Sequence, residues 1–459
     1  MRFSRRAVLT AAVAGLIPLG LVLAPSAPAV TPTFGTGTPG FVVSQAPSSL
    51  IGYDNAGEPS IGVHPTTHMG LFMAGTSTYK LDLTTFAATG NPGWTDLSSP
   101  FSLSNLDPIL ATDPVTGVTL AGGDDGPCAV MSKTADDGAT WAPSIPCALA
   151  SDHPTVGFGP FASPKPLGAS GDRIAYFCQQ QDASNCATSV DGGSTFLPGV
   201  PMIGCAGVFG HVKVGPDGTA YIPSKNCVGA DNNIGVGGYV STDNGANWTA
   251  YDIPGAPTPT TGFDPSVGIT PDNTVYESFA RANDWHPVVT SSTTKGASWT
   301  PAVDLAGTVN PPIVASTFQS VVAGDNGRVA VAFLGTTVGD TAHHSPFTSG
   351  YHGIWNLYVS TSYDGGKTFT TTKVTSTPVQ RGEIDGGGTT TLGQRNLLDF
   401  MDASLTADGR VVVAYADGCN GSCDTAPDTA ASESLSASDQ WASAAIQSTG
   451  RGLIAAFSP

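Results

Sequence analysis

Side chains able to carry acid–base or anion-binding chemistry are sparse in this sequence, so their spacing is informative. Beyond the first 29 residues there are four glutamates, Glu58, Glu277, Glu383 and Glu433, and seven arginines. Hydrolysis of a glycosidic bond usually takes two carboxyl groups at a controlled separation, and some glycosidases use a tyrosine phenol instead of one of them. The candidates are Glu58 with Asp402, and Asp264 with Glu277, with Tyr351 or Tyr363 as the phenol. A substrate bearing a carboxylate is best held by planar guanidinium groups. Arg173, Arg328 and Arg410 share one recurring turn and Arg451 lies near the end, which leaves Arg281, Arg381 and Arg395 to reach a common site. Each could equally neutralise a neighbour such as Asp399 or Glu383. His343-His344 reads as a solvated loop.

What would position these residues is an internal repeat. Thr134-Ala-Asp136-Asp-Gly138-Ala-Thr-Trp141 recurs as Ser189 to Phe196, Ser241 to Trp248 and Ser362 to Phe369. A weaker copy, Ser292 to Trp299, has Thr294 in place of the Asp. In such a turn the Asp accepts bonds from the turn's own amides, and the Gly supplies a positive φ that other residues resist. The closing aromatic starts the next strand. This is the Asp box, a structural turn rather than a catalytic one.

A second element precedes the boxes: a polar residue, then a short run ending in a small residue. It begins at Glu58, Asp107, His153, His211, Asp264, Gln319 and Asp402, at intervals of 46 to 83 residues. Near-regular spacing of this size is that of four-stranded blades in a β-propeller. Seven blades are expected, with six plus an extra hairpin as the alternative. The longest interval holds a Gly- and Thr-rich insert around Gly386 to Gly393, and blades one and seven lack a proper box, although Gly93-Trp94 stands where the first should be.

In a propeller the first strand of each blade lines the central axis. The seven opening residues would therefore form one polar ring at the channel mouth, the kind of concave, convergent site that binds ligands. Asp107, His153, His211, Gln319 and the three arginines are then the expected substrate-binding set, and Glu58, Asp264, Glu277 and Asp402 the expected catalytic one. The ring could also merely solvate the channel. No cofactor is required, but carboxylates at Glu58, Asp107, Asp264 and Asp402 could hold a structural cation such as calcium.

The first residues read as an export signal: basic Arg2, Arg5 and Arg6, an apolar run Ala7 to Leu23 and a small-residue site at Ala27-Pro28-Ala29. Ser4-Arg5-Arg6 also resembles a twin-arginine signal. The expected organisation is a signal peptide over 1–29, a lead-in over 30–57 and a single propeller over 58–459. No later segment is apolar for the roughly 20 residues a bilayer requires, so membrane insertion is not expected. The eight cysteines fall into near pairs, Cys128/Cys147, Cys178/Cys186, Cys205/Cys227 and Cys419/Cys423, which suits local disulfides in an oxidising compartment better than metal knuckles. With 18 basic against 36 acidic side chains, nucleic acid is an unsuitable partner. A secreted, monomeric protein with a glycan or glycoconjugate ligand is expected.

On its boxes the chain resembles the sialidase or BNR-repeat superfamily, and the secreted bacterial members that begin Glu-Pro-Ser-Ile-Gly and carry Arg-Asn-Leu-Leu-Asp-Phe-Met-Asp near the end. Here those segments are Glu58 to Gly62 and Arg395 to Asp402. The resemblance implies a glycosidase in which three arginines grip a carboxylate beside a Tyr/Glu couple and an Asp acid. Gly57 to Ser60 stands, without an Arg, where the family's first arginine would be. A carbohydrate-active hydrolase is one expectation; a non-catalytic glycan- or protein-binding propeller is the other.

Overall fold

Short runs of β-branched and small residues broken by Gly-bearing turns can bury both faces only by stacking sheet on sheet, and the chain does so. The computed structural model describes residues 37–458 except 103–106, 124–127, 147–151, 182, 208, 229–233, 258–263, 340–344, 348–350, 385–395 and 428–438. The expected signal peptide, Cys147, His343, His344, Arg395, Glu433 and the Gly386 to Gly393 insert lie outside the described residues.

Seven antiparallel sheets form, each built on four strands. The first strands are Ser60–Val63, Pro108–Thr112, Thr155–Pro160, Lys213–Val214, Ser266–Ile269, Ala315–Ala323 and Asp402–Leu405. Each lies against the first strands of both neighbouring blades, and the circle closes between Asp402–Leu405 and Ser60–Val63. The molecule is therefore a seven-bladed β-propeller. Blade six gains a short fifth strand, Gln380–Arg381, beside Ile354–Ser362.

Blade seven is assembled from both ends of the chain. Asp402–Leu405, Val411–Asp417 and Trp441–Thr449 supply three strands, and Gly40–Gln45 pairs antiparallel with Trp441–Thr449 as the fourth. A propeller strand thus lies inside the stretch expected to be a lead-in. Without it, the backbone groups of Trp441–Thr449 would form an open sheet edge.

The core lies between blades, where aromatic and branched side chains interleave. Trp355, Phe333, Tyr176, Tyr221 and Tyr415 are fully buried there, each contributing about 1.5–3 kcal/mol of apolar burial. The boxes fix the turns between third and fourth strands. In the first, the Thr140 amide donates to Asp136 Oδ1 (2.9 Å), the Gly138 amide donates to Thr134 Oγ1 (3.0 Å), and Gly138 has φ 81°. Asp191, Asp243 and Asp364 repeat the arrangement. At Thr294 a hydroxyl replaces the carboxylate and accepts the Ser298 amide at 2.8 Å.

Both expected box gaps have physical causes. In blade one the same connection is a helix, Leu83–Thr89, capped by Asp82, with Trp94 packed edge-on against Phe72 and Tyr79 where a box aromatic would sit. In blade seven the connection does not exist, because its third and fourth strands come from opposite ends of the chain.

Candidate functional site

The first strands all start at one end of the channel, here called the mouth face; the boxes lie on the opposite face. Six of the seven ring positions open a first strand or stand one or two residues before it; Gln319 lies within its strand. The backbone at Glu58 and His153 is left-handed, with φ 57° and 45°, a conformation that is costly for such residues and persists only where the surroundings enforce it.

In the ring, four members are closed off from solvent, while Asp107, His153 and His211 are half-buried. Glu58 is 1 % exposed, Asp264 6 %, Gln319 5 % and Asp402 4 %. What covers it is Asn396 to Asp402, which crosses the mouth from blade seven. Asn396 Nδ2 donates to the Glu383 carbonyl at 2.7 Å, and Gln440 Nε2 donates to the Asn396 carbonyl at 2.8 Å. Leu397 and Met401 are buried in the core between blades six and seven. Leu398 presses on Gly57, where a Cβ would lie 2.3 Å from Leu398 Cδ1. Phe400 meets the His211 ring edge-on at 4.6 Å and joins the apolar cluster of blades two and three.

Beneath this stopper the charges face one another. His153 Nδ1 lies 3.6 Å from Asp264 and its Nε2 lies 3.6 Å from Asp399. The His153 amide donates to Asp107 at 3.1 Å. Burial alone would lower the His153 pKa, but the hydrogen bond and charge of Asp264, then the charges of Asp399 and Asp152, outweigh it and raise the imidazole to about 10. Lys225, buried on blade four, is pulled down by desolvation against the same two carboxylates. His211 Nδ1 lies 3.4 Å from Asp402, whose other oxygen accepts the Ile61 amide at 3.2 Å. Burial works to raise Asp402, while Lys213, His211 and that amide hold it below the usual carboxylate range. The positive charges facing Asp264 and Asp399 are thus the chain's own His153 and Lys225.

The remaining candidates are dispersed. Glu277 points from the second strand of blade five toward the outer strand of blade four, where Tyr251 Oη donates to it at 2.9 Å; burial raises its pKa well above normal. It is not brought to Asp264. Arg281 binds Asp284 (2.5 Å) and Asp304 (2.6 Å), and His286 completes that half-exposed cluster. Asp284, His286 and Asp304 lie within metal-ligand reach of one another, but the guanidinium already bridges the two carboxylates. Arg381 is buried, donating to the carbonyls of Cys423 and Ala426 at 3.0 and 2.9 Å. Tyr363 is on the box face, held between Arg328 and Arg451 and donating to the Arg451 carbonyl. Tyr351 packs on Trp355 in the blade-six core. Gln319 Nε2 donates to Ser316 Oγ at 3.0 Å, tying that ring member to its own blade.

Asp399, Phe400, Lys225 and Lys213 are site residues that spacing did not single out. The available signal was the apolar content of Leu397, Leu398, Phe400 and Met401 in a segment outside the repeat, since a loop so apolar needs a place to bury itself.

Disulfides join Cys178–Cys186, Cys205–Cys227 and Cys419–Cys423. Cys128 is also disulfide-bonded, and its expected partner Cys147 lies outside the described residues. Cys178 and Cys227 lie toward the mouth-face ends of second strands, Cys186 in the third strand paired with the first of these, and Cys128, Cys205, Cys419 and Cys423 in mouth-face connections. The same face carries exposed aliphatic side chains: Ile203 (83 %), Ile51 (78 %), Ile145, Ile234, Val228, Val338 and Val314. The Val228 amide donates to the Gly204 carbonyl, which sets Ile203 beside the hairpin bearing Val228 and Ile234. No helix among the described residues is long and apolar enough to cross a membrane.

No protein-family model matches the chain, and no curated protein matches it. Solved structures that resemble it include YCF48 bound to D1 peptide, at 13 % identity over 92 % of this chain and 99 % of that one, with a TM-score of 0.48. The Hadza microbial sialidase Hz136 is 13 % identical over 79 % of this chain and 65 % of its own, with a TM-score of 0.38. Kuenenia stuttgartiensis hydrazine synthase is 12 % identical over 78 % and 92 %, with a TM-score of 0.43. The likeness is one of propeller fold, and the expected place in the sialidase or BNR-repeat superfamily is not joined by a family match.

Proposed function

We propose that this chain is a non-catalytic binding propeller that docks a protein partner on its mouth face, outside the cell. The observation that carries this reading is the exposed aliphatic group Ile203, Val228 and Ile234, set side by side on the mouth face where the Cys205–Cys227 disulfide staples the loops. Apolar side chains clustered at a surface mark protein contact sites, and loops held rigid before contact lose less entropy on binding. The polar groups beneath favour binding over hydrolysis, because His153 is committed to Asp264 and Asp399, and His211 to Asp402. Arg281 and Arg381 are likewise engaged within the chain. The disulfides are compatible with an oxidising exterior.

The test has two arms on the purified full chain. Fluorogenic sialosides and neutral glycosides, offered with and without chelator, should give no turnover above a blank; turnover that disappears in Asp399→Asn overturns the reading. Chemical cross-linking in medium from the producing cells should yield one adduct with the native chain. That adduct should be lost in Ile203→Asp/Ile234→Asp and kept in Leu167→Asp, a box-face control. An adduct equally abundant in all three chains overturns the mouth-face assignment.

A further inference from the structure

The channel below the stopper is a second concavity, with different chemistry and the opposite exit. The first strands leave an axial cavity of ≈ 250 Å³. Its wall extends to the last residue of several first strands, including Val63, Val214, Ile269 and Leu405, so it opens on the box face. Toward the mouth it is bounded by the layer containing Phe400 and Asp402, since each first strand runs away from that layer. Among the described residues the side chains lining it are overwhelmingly aliphatic, with Lys213 the one charged residue.

Lys213 is the informative member. Among the described residues it has no carboxylate at ion-pair distance, yet its charge is felt by Asp402 at the closed end. A half-buried ammonium between aliphatic side chains and strand backbone, without a direct counter-ion among the described residues, favours an incoming anion. One lysine suits an incoming group of a single negative charge better than one of two. The volume and the aliphatic walls suit a short unbranched body behind that charge.

We infer that the box-face channel of this propeller binds a small aliphatic monocarboxylate, its carboxylate directed toward Lys213 and its hydrocarbon chain along the inner strands. The site is separate from the mouth face and does not depend on the reading given for it.

Isothermal titration of the full chain with octanoate and with 1-octanol tests this. Octanoate should bind saturably with a Kd below about 1 mM, and added salt should weaken it more than it weakens octanol. Lys213→Met should weaken octanoate about tenfold and leave octanol unchanged. Ser404→Phe, which fills the channel from blade seven, should abolish both; Ile269→Trp does the same from blade five if the first variant melts early. Absence of saturable octanoate binding to the native chain overturns the inference. So does equal octanoate affinity in Lys213→Met, or survival of binding in a folded channel-filled variant.

Discussion

The two faces of this propeller are made from the same strands yet solve opposite problems. On the box face each turn satisfies itself: a carboxylate or hydroxyl gathers the amides of its own hairpin, a glycine takes the left-handed position, and an aromatic closes the blade interface. At the centre of the mouth the charged contacts run between blades. His153 of blade three meets Asp264 of blade five and Asp399 of the stopper, while Asp402 of blade seven holds the Ile61 amide of blade one. Local solutions repeat and can be read as a motif; long-range ones leave no periodic trace. The contrast also separates scaffold from site, since a surface built from five copies of one turn has little room to specialise.

Removing the imidazole at the centre of the mouth should break this contrast most sharply. His153→Leu takes the imidazolium from between Asp264 and Asp399 and leaves Lys225 as the cation beside them, and breaking a buried pair in this way costs about 3–5 kcal/mol. Denaturant unfolding should register that loss, and a change under about 1 kcal/mol would mean the mouth is no more interdependent than the boxes. Stability held by His153 should be fully present below its unfolded pKa of 6.5 and fade as pH rises toward the folded value of about 10.

Asp417 gives the next effect, running in the same direction with pH but over a lower window. Burial pushes its carboxyl up to about 7, against the Cys419 amide and Gln45, with Asp424 and Asp439 adding to the rise. The folded chain keeps a proton there that the unfolded chain releases, so this contribution to stability declines from about pH 4 to about pH 7. The decline is on the order of 3 kcal/mol, and Asp417→Asn should flatten that part of the pH profile. An unchanged profile would place the charge in water instead.

Single boxes should matter less. Asp364→Ala removes the acceptor for the Lys367 and Thr368 amides and should cost about 1–2 kcal/mol, the scale of losing a cap. The smallest effect sharpens the comparison from the other side. Thr294→Asp completes the degenerate box and should stabilise by about 0.5–1 kcal/mol in thermal unfolding, leaving mouth-face properties untouched. If it destabilises, the blade-five turn is not the interchangeable part it resembles.

Much of the architecture was legible in the sequence because it is periodic. Seven blade starts and five box copies specify the ring, and the polar residues at those starts do gather at one end. Legibility failed where a residue's meaning depended on a distant partner. Glu277 looked available beside Asp264, but it sits in the middle of its strand and faces Tyr251 of the neighbouring blade. Arg381 and Arg281 looked like anion ligands, yet backbone carbonyls of residues 423 and 426 claim one and a local Asp284/Asp304 pair the other. Asn396 to Asp402 belongs to no repeat, so nothing periodic announced that it would lie across the mouth. Gly40–Gln45 is a similar case, since its partner strand is Trp441–Thr449.

That closing pair has a mechanical consequence. Gly40–Gln45 and Trp441–Thr449 run antiparallel, with Gly40 opposite Thr449, so the chain enters one strand and leaves the other at the same end of the pair. Once Gly452, Leu453 and Ser458 are lifted from their contacts with Arg328 and Gly409, tension between the two termini would fall on one hydrogen-bonded pair at a time. The clasp is loaded as a zipper, not in shear. Held by both ends, the ring would open first at blade seven, by stepwise peeling, with the six blades made from continuous chain still intact.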